Sequence, residues 1–179
     1  MNKGKDVTQE DLAEVFKAER PRLLRYACYR LSSEADAEDV LQETFLKLHS
    51  RLQDSEGQEI HNMQSYLFRT LTNICAKWQT NNSRIKTVPL DIKADMADSP
   101  TETRNDDDYK RIARLLKEIP EEQAEVIRLR IYGDNSFMQI AEILSLPLPT
   151  VKSRFLYGLE KIRRGMKQTN VKSQKGMIL

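Results

Sequence analysis

Apolar residues recur at the spacing of an α-helix along nearly the whole chain, and this periodicity constrains the fold more than any other feature. In residues 34–52 the apolar positions follow i, i+3, i+4, i+7, i+8 and i+11, the pattern of one buried helical face. Only six glycines and six prolines occur in 179 residues, and no internal repeat is visible. Similar stripes predict further helices over residues 8–31, 63–77, 108–119, 120–132, 136–144 and 149–167. We therefore predict an all-α protein.

Residues 81–108 interrupt this periodicity and divide the chain. The segment contains Pro89, Pro100 and a run of acidic residues, a composition typical of a linker. We predict two small helical domains with separate cores, joined by an acidic flexible linker. The predicted division is residues 1–86 and 109–168 for the domains, 87–108 for the linker, and 169–179 for a basic tail that we expect to be disordered.

The charge of the chain is unevenly placed, although its formal net value is only +2. Residues 152–175 carry eight lysines and arginines against a single acid, Glu160. A basic end of this kind favours binding to nucleic acid.

Several classes of protein are disfavoured because the residues they need are missing. No run approaches the roughly 20 apolar residues of a membrane span, and the polar start lacks a signal segment. Cys28 and Cys75 have no CxxC spacing and are predicted to be buried, and His49 and His61 lack ligand partners at metal-site spacing. We expect a cytoplasmic protein with no catalytic residue, no metal, no cofactor and no small-molecule substrate.

The strongest local signal is a helix-turn-helix in the second domain. Ser136 and Gln139 form an S-x-x-Q capping box that opens one short helix, and a turn at residues 145–147 leads into a basic helix. The polar face of that basic helix is predicted to bind DNA, although the same residues could form an ordinary solvated face. The predicted DNA-binding residues are Thr150, Lys152, Ser153, Arg154 and Tyr157.

Two faces of the first domain also suggest binding. One, here called the acidic face, surrounds an apolar residue with acids, which suits a basic protein partner or is simply a solvated surface. The other combines amide and basic groups with an aromatic residue, a combination that can bind a nucleic-acid strand, although the aromatic residue could instead belong to the core. The acidic face is Glu38, Asp39, Gln42, Glu43 and Leu46, and the second face is Asn62, Arg69, Asn73, Lys77 and Trp78.

Three long segments together resemble the sigma-70 family. Residues 36–48 read DAEDVLQETFLKL and resemble its polymerase-binding region. Residues 65–78 read SYLFRTLTNICAKW and resemble the helix that reads the promoter −10 element. Residues 119–164, with the motif TVKSR at 150–154, resemble the helix-turn-helix that reads the −35 element. The order, the spacing and the short length resemble the extracytoplasmic-function (ECF) sigma factors.

The resemblance implies a function and a set of partners. It implies that residues 1–86 form a sigma-2 domain whose acidic face binds core RNA polymerase and whose second face binds and melts the −10 element. It implies that residues 109–168 form a sigma-4 domain that binds promoter DNA at the −35 element. An anti-sigma factor, which can be membrane-anchored in this family, is implied as a further partner.

Two other classes of function explain the sequence less completely. A conventional helix-turn-helix regulator that acts without core polymerase would explain the second domain but neither face of the first. An enzyme acting on nucleic acid would need paired carboxylates, a phosphate-binding glycine loop or a nucleophile motif, and the sequence contains none of these.

Overall fold

The structure is a computed structural model, and it describes residues 9–54, 60–82 and 103–175. These residues form seven helices and no strand, which confirms the all-α prediction. The helices are α1 (Gln9–Leu31), α2 (Glu34–Asp54), α3 (Met63–Asn82), α4 (Thr103–Leu115), α5 (Glu121–Ile131), α6 (Phe137–Leu144) and α7 (Leu148–Lys175).

Helices α1, α2 and α3 pack on one another as the N-terminal bundle. The predicted stripe of α2 is buried, and Leu41 and Leu48 are almost completely enclosed. Thr44 is tolerated in this apolar face because its hydroxyl donates to the Val40 carbonyl at 2.7 Å. The helical period of the sequence therefore fixes which side of α2 faces the core and leaves the acidic face outside.

Helices α4 to α7 form the C-terminal bundle. The predicted capping box is present: the Gln139 amide donates to Ser136 Oγ at 3.1 Å, and the Ser136 amide donates to Gln139 Oε1 at 2.8 Å. Helix α6 ends at Leu144, and the capping residue Ser145 has a left-handed φ of 53° that turns the chain towards α7. The helix-turn-helix prediction is confirmed, because α6 and α7 are joined by this tight turn.

Two helix boundaries differ from the sequence prediction. Helix α4 begins at Thr103, inside the segment predicted to be linker, since acidic residues near a helix N-terminus are favoured by the helix dipole. Helix α7 continues to Lys175, so residues 169–175 are helical rather than disordered. No proline or glycine interrupts that stretch. The rest of the predicted linker, residues 83–102, lies outside the described residues.

The two bundles pack against each other, which the prediction of separate cores did not anticipate. Helix α1 contacts α5, and α3 contacts α6. The rings of Tyr29 and Tyr132 stack across this boundary with their centroids 4.1 Å apart. Phe68 of α3 lies so close to Gly133 that a side chain at Gly133 would crowd its ring. The aromatic residues of both bundles thus share one continuous apolar region.

Candidate nucleic-acid and protein interfaces

The acidic face of α2 is open to solvent over most of its length. Asp39, Gln42 and Glu43 are exposed, and Leu46 between them is 58% exposed. Glu38 differs from the other four because both of its carboxylate oxygens accept hydrogen bonds from Arg20 at 2.7 Å. The face therefore offers an apolar centre, Leu46, and two acids without a described ion pair, Asp39 and Glu43. Glu38 is instead paired with Arg20 of α1.

The five residues of the second predicted face do not lie together in the structure. Asn73 and Lys77 are exposed on α3, whereas Trp78 is half-buried and packs against the core. Within the described residues the buried indole Nε1 of Trp78 has no hydrogen-bond partner. Asn62 and Arg69 lie further towards the start of α3 and contact the C-terminal bundle.

A cleft of about 530 Å³ opens beside the N-terminal end of α3. Its lining combines donors with an aromatic ring, a composition that suits a planar, hydrogen-bonding ligand. One of its lining residues, Glu142, comes from the C-terminal bundle. The lining residues are Arg51, Ile60, His61, Asn62, Ser65, Tyr66, Arg69 and Glu142.

The Glu142 carboxylate accepts hydrogen bonds from two polar side chains of this cleft. It accepts from the Asn62 amide at 2.9 Å and from the Ser65 hydroxyl at 2.7 Å. The Arg69 guanidinium donates to the backbone carbonyls of Glu142 and Ile143, the latter at 3.2 Å, and to Ser145 Oγ at 2.9 Å. These carbonyls belong to the last turn of α6, where the Glu142 carbonyl also accepts from the Ser145 amide at 3.3 Å.

The predicted DNA-binding residues of α7 do not share one environment. Lys152 and Tyr157 are exposed, the latter at 60%. The Ser153 hydroxyl donates to the Pro149 carbonyl at 2.6 Å, and Thr150 is half-buried. Arg154 lies on the flank of α7 that meets α5, where its guanidinium is 3.1 Å from the Glu122 carboxylate. This ion pair orients Arg154 and leaves its other donors available.

Sequence reasoning missed three residues at these sites. Leu156 is 64% exposed on α7, one turn after Lys152, so it presents an apolar group on the basic helix. The helical wheel could have revealed Leu156, since it falls outside the buried stripe. Ser65 and Glu142 could not have been found this way, because their contact joins positions 77 residues apart.

A polar cluster joins the bundles at the α1–α5 contact, here called the interbundle cluster, and Glu121 lies at its exposed edge. The Tyr26 hydroxyl donates to the Glu125 carboxylate, and Arg30 binds both Glu121 and Glu125. Arg128 binds the same two carboxylates. Burial and the nearby charge of Glu125 raise the pKa of Tyr26 well above its ordinary value, so the phenol keeps its proton and remains a donor. The arginine side chains of the cluster are 7% exposed.

Neither a metal site nor a membrane span is found in the part of the chain that the structure describes. Within residues 9–54, 60–82 and 103–175, no group of three or more histidines, cysteines or acids is arranged to hold a metal ion. None of the helices in these ranges combines the length and the apolar character needed to cross a bilayer.

Comparison with known families finds two matches in this chain. The family described as Sigma-70 region 2 matches residues 15–85, which include the acidic face and the cleft. The family described as Sigma-70, region 4 matches residues 115–164, which include the helix-turn-helix. Together the two matches cover most of the chain in the order of the two bundles.

Three curated relatives are each described as an ECF RNA polymerase sigma factor. The chain is 24% identical to the ECF RNA polymerase sigma factor SigW of Bacillus subtilis, over 93% of each chain. It is 28% identical to the ECF RNA polymerase sigma factor SigL of Mycobacterium tuberculosis, over 83% of this chain and 85% of that one. It is 29% identical to SigE of Mycolicibacterium smegmatis, over 84% of this chain but only 59% of SigE.

Two solved structures share the arrangement of helices. CnrH in complex with the cytosolic domain of CnrY superposes with a TM-score of 0.65 at 20% identity, over 90% of each chain. The sigma factor RpoE in complex with the anti-sigma factor NepR from Bartonella quintana superposes with a TM-score of 0.64 at 20% identity, over 88% of this chain and 98% of that one. At this identity the likeness concerns the fold.

Proposed function

The chain belongs to the sigma-70 family as a sigma factor of the ECF type, and we propose that three separate surfaces divide its work in transcription initiation. The acidic face of α2 binds core RNA polymerase, the cleft and outer side of α3 bind the −10 element, and α7 binds the −35 element. The observation that carries this proposal is the pairing of region 2 and region 4 matches, each on one bundle. We infer that the protein acts in the cytoplasm and is not an enzyme, because its role is to direct the polymerase.

Transcription in vitro tests the function as a whole. Purified chain is added to core RNA polymerase on a library of promoter fragments, and the start sites are mapped. We expect specific starts with both components and none with either alone. A conventional regulator, the second candidate, would bind the same fragments equally well without core enzyme.

The acidic face suits the polymerase because of its chemistry. An apolar centre surrounded by charge is the usual make-up of a protein interface, and Leu46 with Asp39 and Glu43 provides this arrangement. The same bundles are candidate contacts for an anti-sigma factor. That partner is proposed because RpoE, which shares this fold, is described in complex with one.

Replacement of Asn73 by alanine is expected to slow promoter melting by about threefold to tenfold. The Asn73 amide is exposed on α3 and can bond the edge of an unstacked base, and one such bond contributes roughly 1 kcal/mol. Permanganate reactivity of melted thymines measures the rate. Binding to upstream duplex should persist, since it belongs to α7. Equal activity of variant and parent on duplex and bubble templates would contradict the assignment.

Lys152 and Arg154 are expected to contribute to −35 binding in different ways. Arg154→Ala should lose about 1–3 kcal/mol of preference for the specific site, a factor of roughly 5 to 150, because a guanidinium held by Glu122 can bind guanine through its free donors. Lys152→Ala should weaken specific and random duplex alike and lower the salt slope by about one. Binding curves across salt concentrations distinguish the two. Equal losses on both duplexes for Arg154→Ala would exclude base reading by this residue.

Leu156 adds an apolar contact to the proposed −35 surface. Its position one turn after Lys152 and its exposure suit contact with the methyl group of a thymine. Such a contact would distinguish an A·T pair from the other base pairs without a hydrogen bond.

A further inference from the structure

Arg154 lies where α5 and α7 approach each other closely. Gly158, one turn after Arg154 on α7, is buried. A Cβ at this position would lie 2.6 Å from Ile127 Cδ1 and 3.1 Å from Gln123 Cβ, both on α5. The missing side chain therefore lets the two helices come close together. The first turn of α5 lies beside Arg154, and the Glu122 carboxylate in that turn is 3.1 Å from Arg154 Nη2.

The carboxylate of Glu122 is directed towards α7 and not towards the interbundle cluster. Glu121 and Glu125, four residues apart on one side of α5, bind the arginines of that cluster. Glu122 follows Glu121 by about 100° around the helix, so it faces another side. The side chain of Glu122 is 73% exposed, whereas that of Arg154 is 27% exposed. Glu122 is therefore an accessible carboxylate next to the proposed DNA-binding surface of α7.

This ion pair changes which DNA groups Arg154 can bind. A guanidinium has five N–H donors, and the Glu122 carboxylate approaches only one end of it. The remaining donors can still make a bidentate contact with the edge of a guanine, which carries no full charge. A phosphate does carry a full negative charge, so the neighbouring carboxylate repels it. The pair thus favours a base edge over the DNA backbone as the partner of Arg154.

We propose that Glu122 is a positioning residue that makes −35 recognition selective, because it holds Arg154 ready for a guanine edge and keeps this cation from binding phosphate. Phosphate contacts carry no sequence information, so an arginine that binds them adds affinity for every duplex alike. The proposal rests on the proposed function of α7. It extends the −35 surface beyond the helix-turn-helix to the first turn of α5.

Promoter selection by the complex with core RNA polymerase tests the proposal. The −35 element of the strongest promoter mapped with the parent protein is randomised in a library whose members each carry a transcribed barcode. Sequencing of the transcripts gives the base preference at every position. Arg154→Ala identifies the base pair that Arg154 reads. Glu122→Gln, which keeps the size of the side chain but removes its charge, should lower the preference at that same base pair by about tenfold.

A double-mutant cycle shows whether Glu122 acts through Arg154. In the Arg154→Ala background, Glu122→Gln should change no preference further, because the group that it positions is gone. Glu160→Gln is the matched control, since it removes an exposed acid of α7 that also pairs with an arginine, Arg164. We expect this control to keep every preference within about twofold of the parent.

Binding of the full chain to a duplex of random sequence provides a readout that a purely structural role would not move. Glu122→Gln should bind this duplex more tightly than the parent and steepen its salt dependence by about one, because Arg154 gains a phosphate contact. Glu160→Gln should leave the salt dependence unchanged. A pair that only stabilised the fold would, when broken, weaken binding to every duplex without steepening the salt dependence, and this result would contradict the proposal.

The outcomes separate this proposal from the proposed function. A loss of preference at one base pair that Arg154→Ala and Glu122→Gln share, with no further loss in the double variant, supports the positioning role. If Arg154→Ala loses a preference that Glu122→Gln retains, Glu122 has no such role and the proposed function stands. Loss at a different base pair for Glu122→Gln would overturn the proposal as well, since Glu122 would then read a base itself. Unaltered preferences for Arg154→Ala would contradict both the proposal and the base reading assigned to Arg154.

Discussion

Reversal of the charges at Asp39 and Glu43 to lysine is expected to weaken binding to core RNA polymerase by about 100-fold. Both side chains are exposed on the acidic face, and neither is neutralised by a described ion pair as Glu38 is by Arg20. Like charges brought together across an interface cost several kcal/mol, and each 1.4 kcal/mol corresponds to a factor of ten. Titration of labelled chain with core enzyme measures the loss.

The matched control is the double reversal Glu10→Lys and Glu14→Lys on α1. It changes the net charge of the same bundle equally, and both positions are exposed. We expect the control to reduce affinity by less than about threefold, mainly through long-range electrostatics. If the two double variants bound core enzyme equally well, the acidic face of α2 would not be the docking surface.

Replacement of Arg30 by alanine is expected to destabilise the chain by about 3 kcal/mol. Arg30 lies in the interbundle cluster with its side chain 7% exposed, and it binds Glu121 and Glu125. Removal of one partner from a buried ionic cluster leaves an uncompensated charge and costs roughly 3–5 kcal/mol. We expect the lower end of that range because Glu121 is 59% exposed and Arg128 still binds both carboxylates. Urea unfolding followed by circular dichroism gives the free energy of unfolding.

Arg20→Ala serves as the comparison for this measurement. Arg20 also lies on α1 and also binds a glutamate, Glu38, but the two side chains are 47% and 43% exposed. An exposed pair contributes about 0–1 kcal/mol. Similar small losses for both variants would show that the interbundle cluster does not stabilise the fold.

The sequence by itself determined the local structure and the candidate surfaces. The period of apolar residues predicted the helices, and the buried side of α2 follows it residue by residue, with Leu41 and Leu48 inside and Leu46 outside. The capping box at Ser136 was predictable because both of its hydrogen bonds join residues three positions apart. Local rules of this kind depend on neighbours within one turn, so they can be read without the fold.

The positions where helices begin and end are predicted less accurately by these local rules. The acidic residues before Asp108 suggested a linker, yet α4 begins at Thr103. Acidic residues suit both a solvated linker and the first turns of a helix, so composition alone does not distinguish them. Basic residues likewise suit both a disordered tail and a solvated helix, and α7 in fact continues to Lys175.

Only the tertiary structure decided how the two bundles meet. Arg69 and Glu142 are separated by 73 positions, and no periodic pattern links them. Asn62 and Arg69 are predicted DNA-binding residues, and the fold places both of them against α6. Arg154, also a predicted DNA-binding residue, lies beside Glu122 of α5. Helix formation depends on hydrogen bonds four residues apart, but docking depends on the complementarity of two complete surfaces. Those surfaces exist only after each bundle has folded.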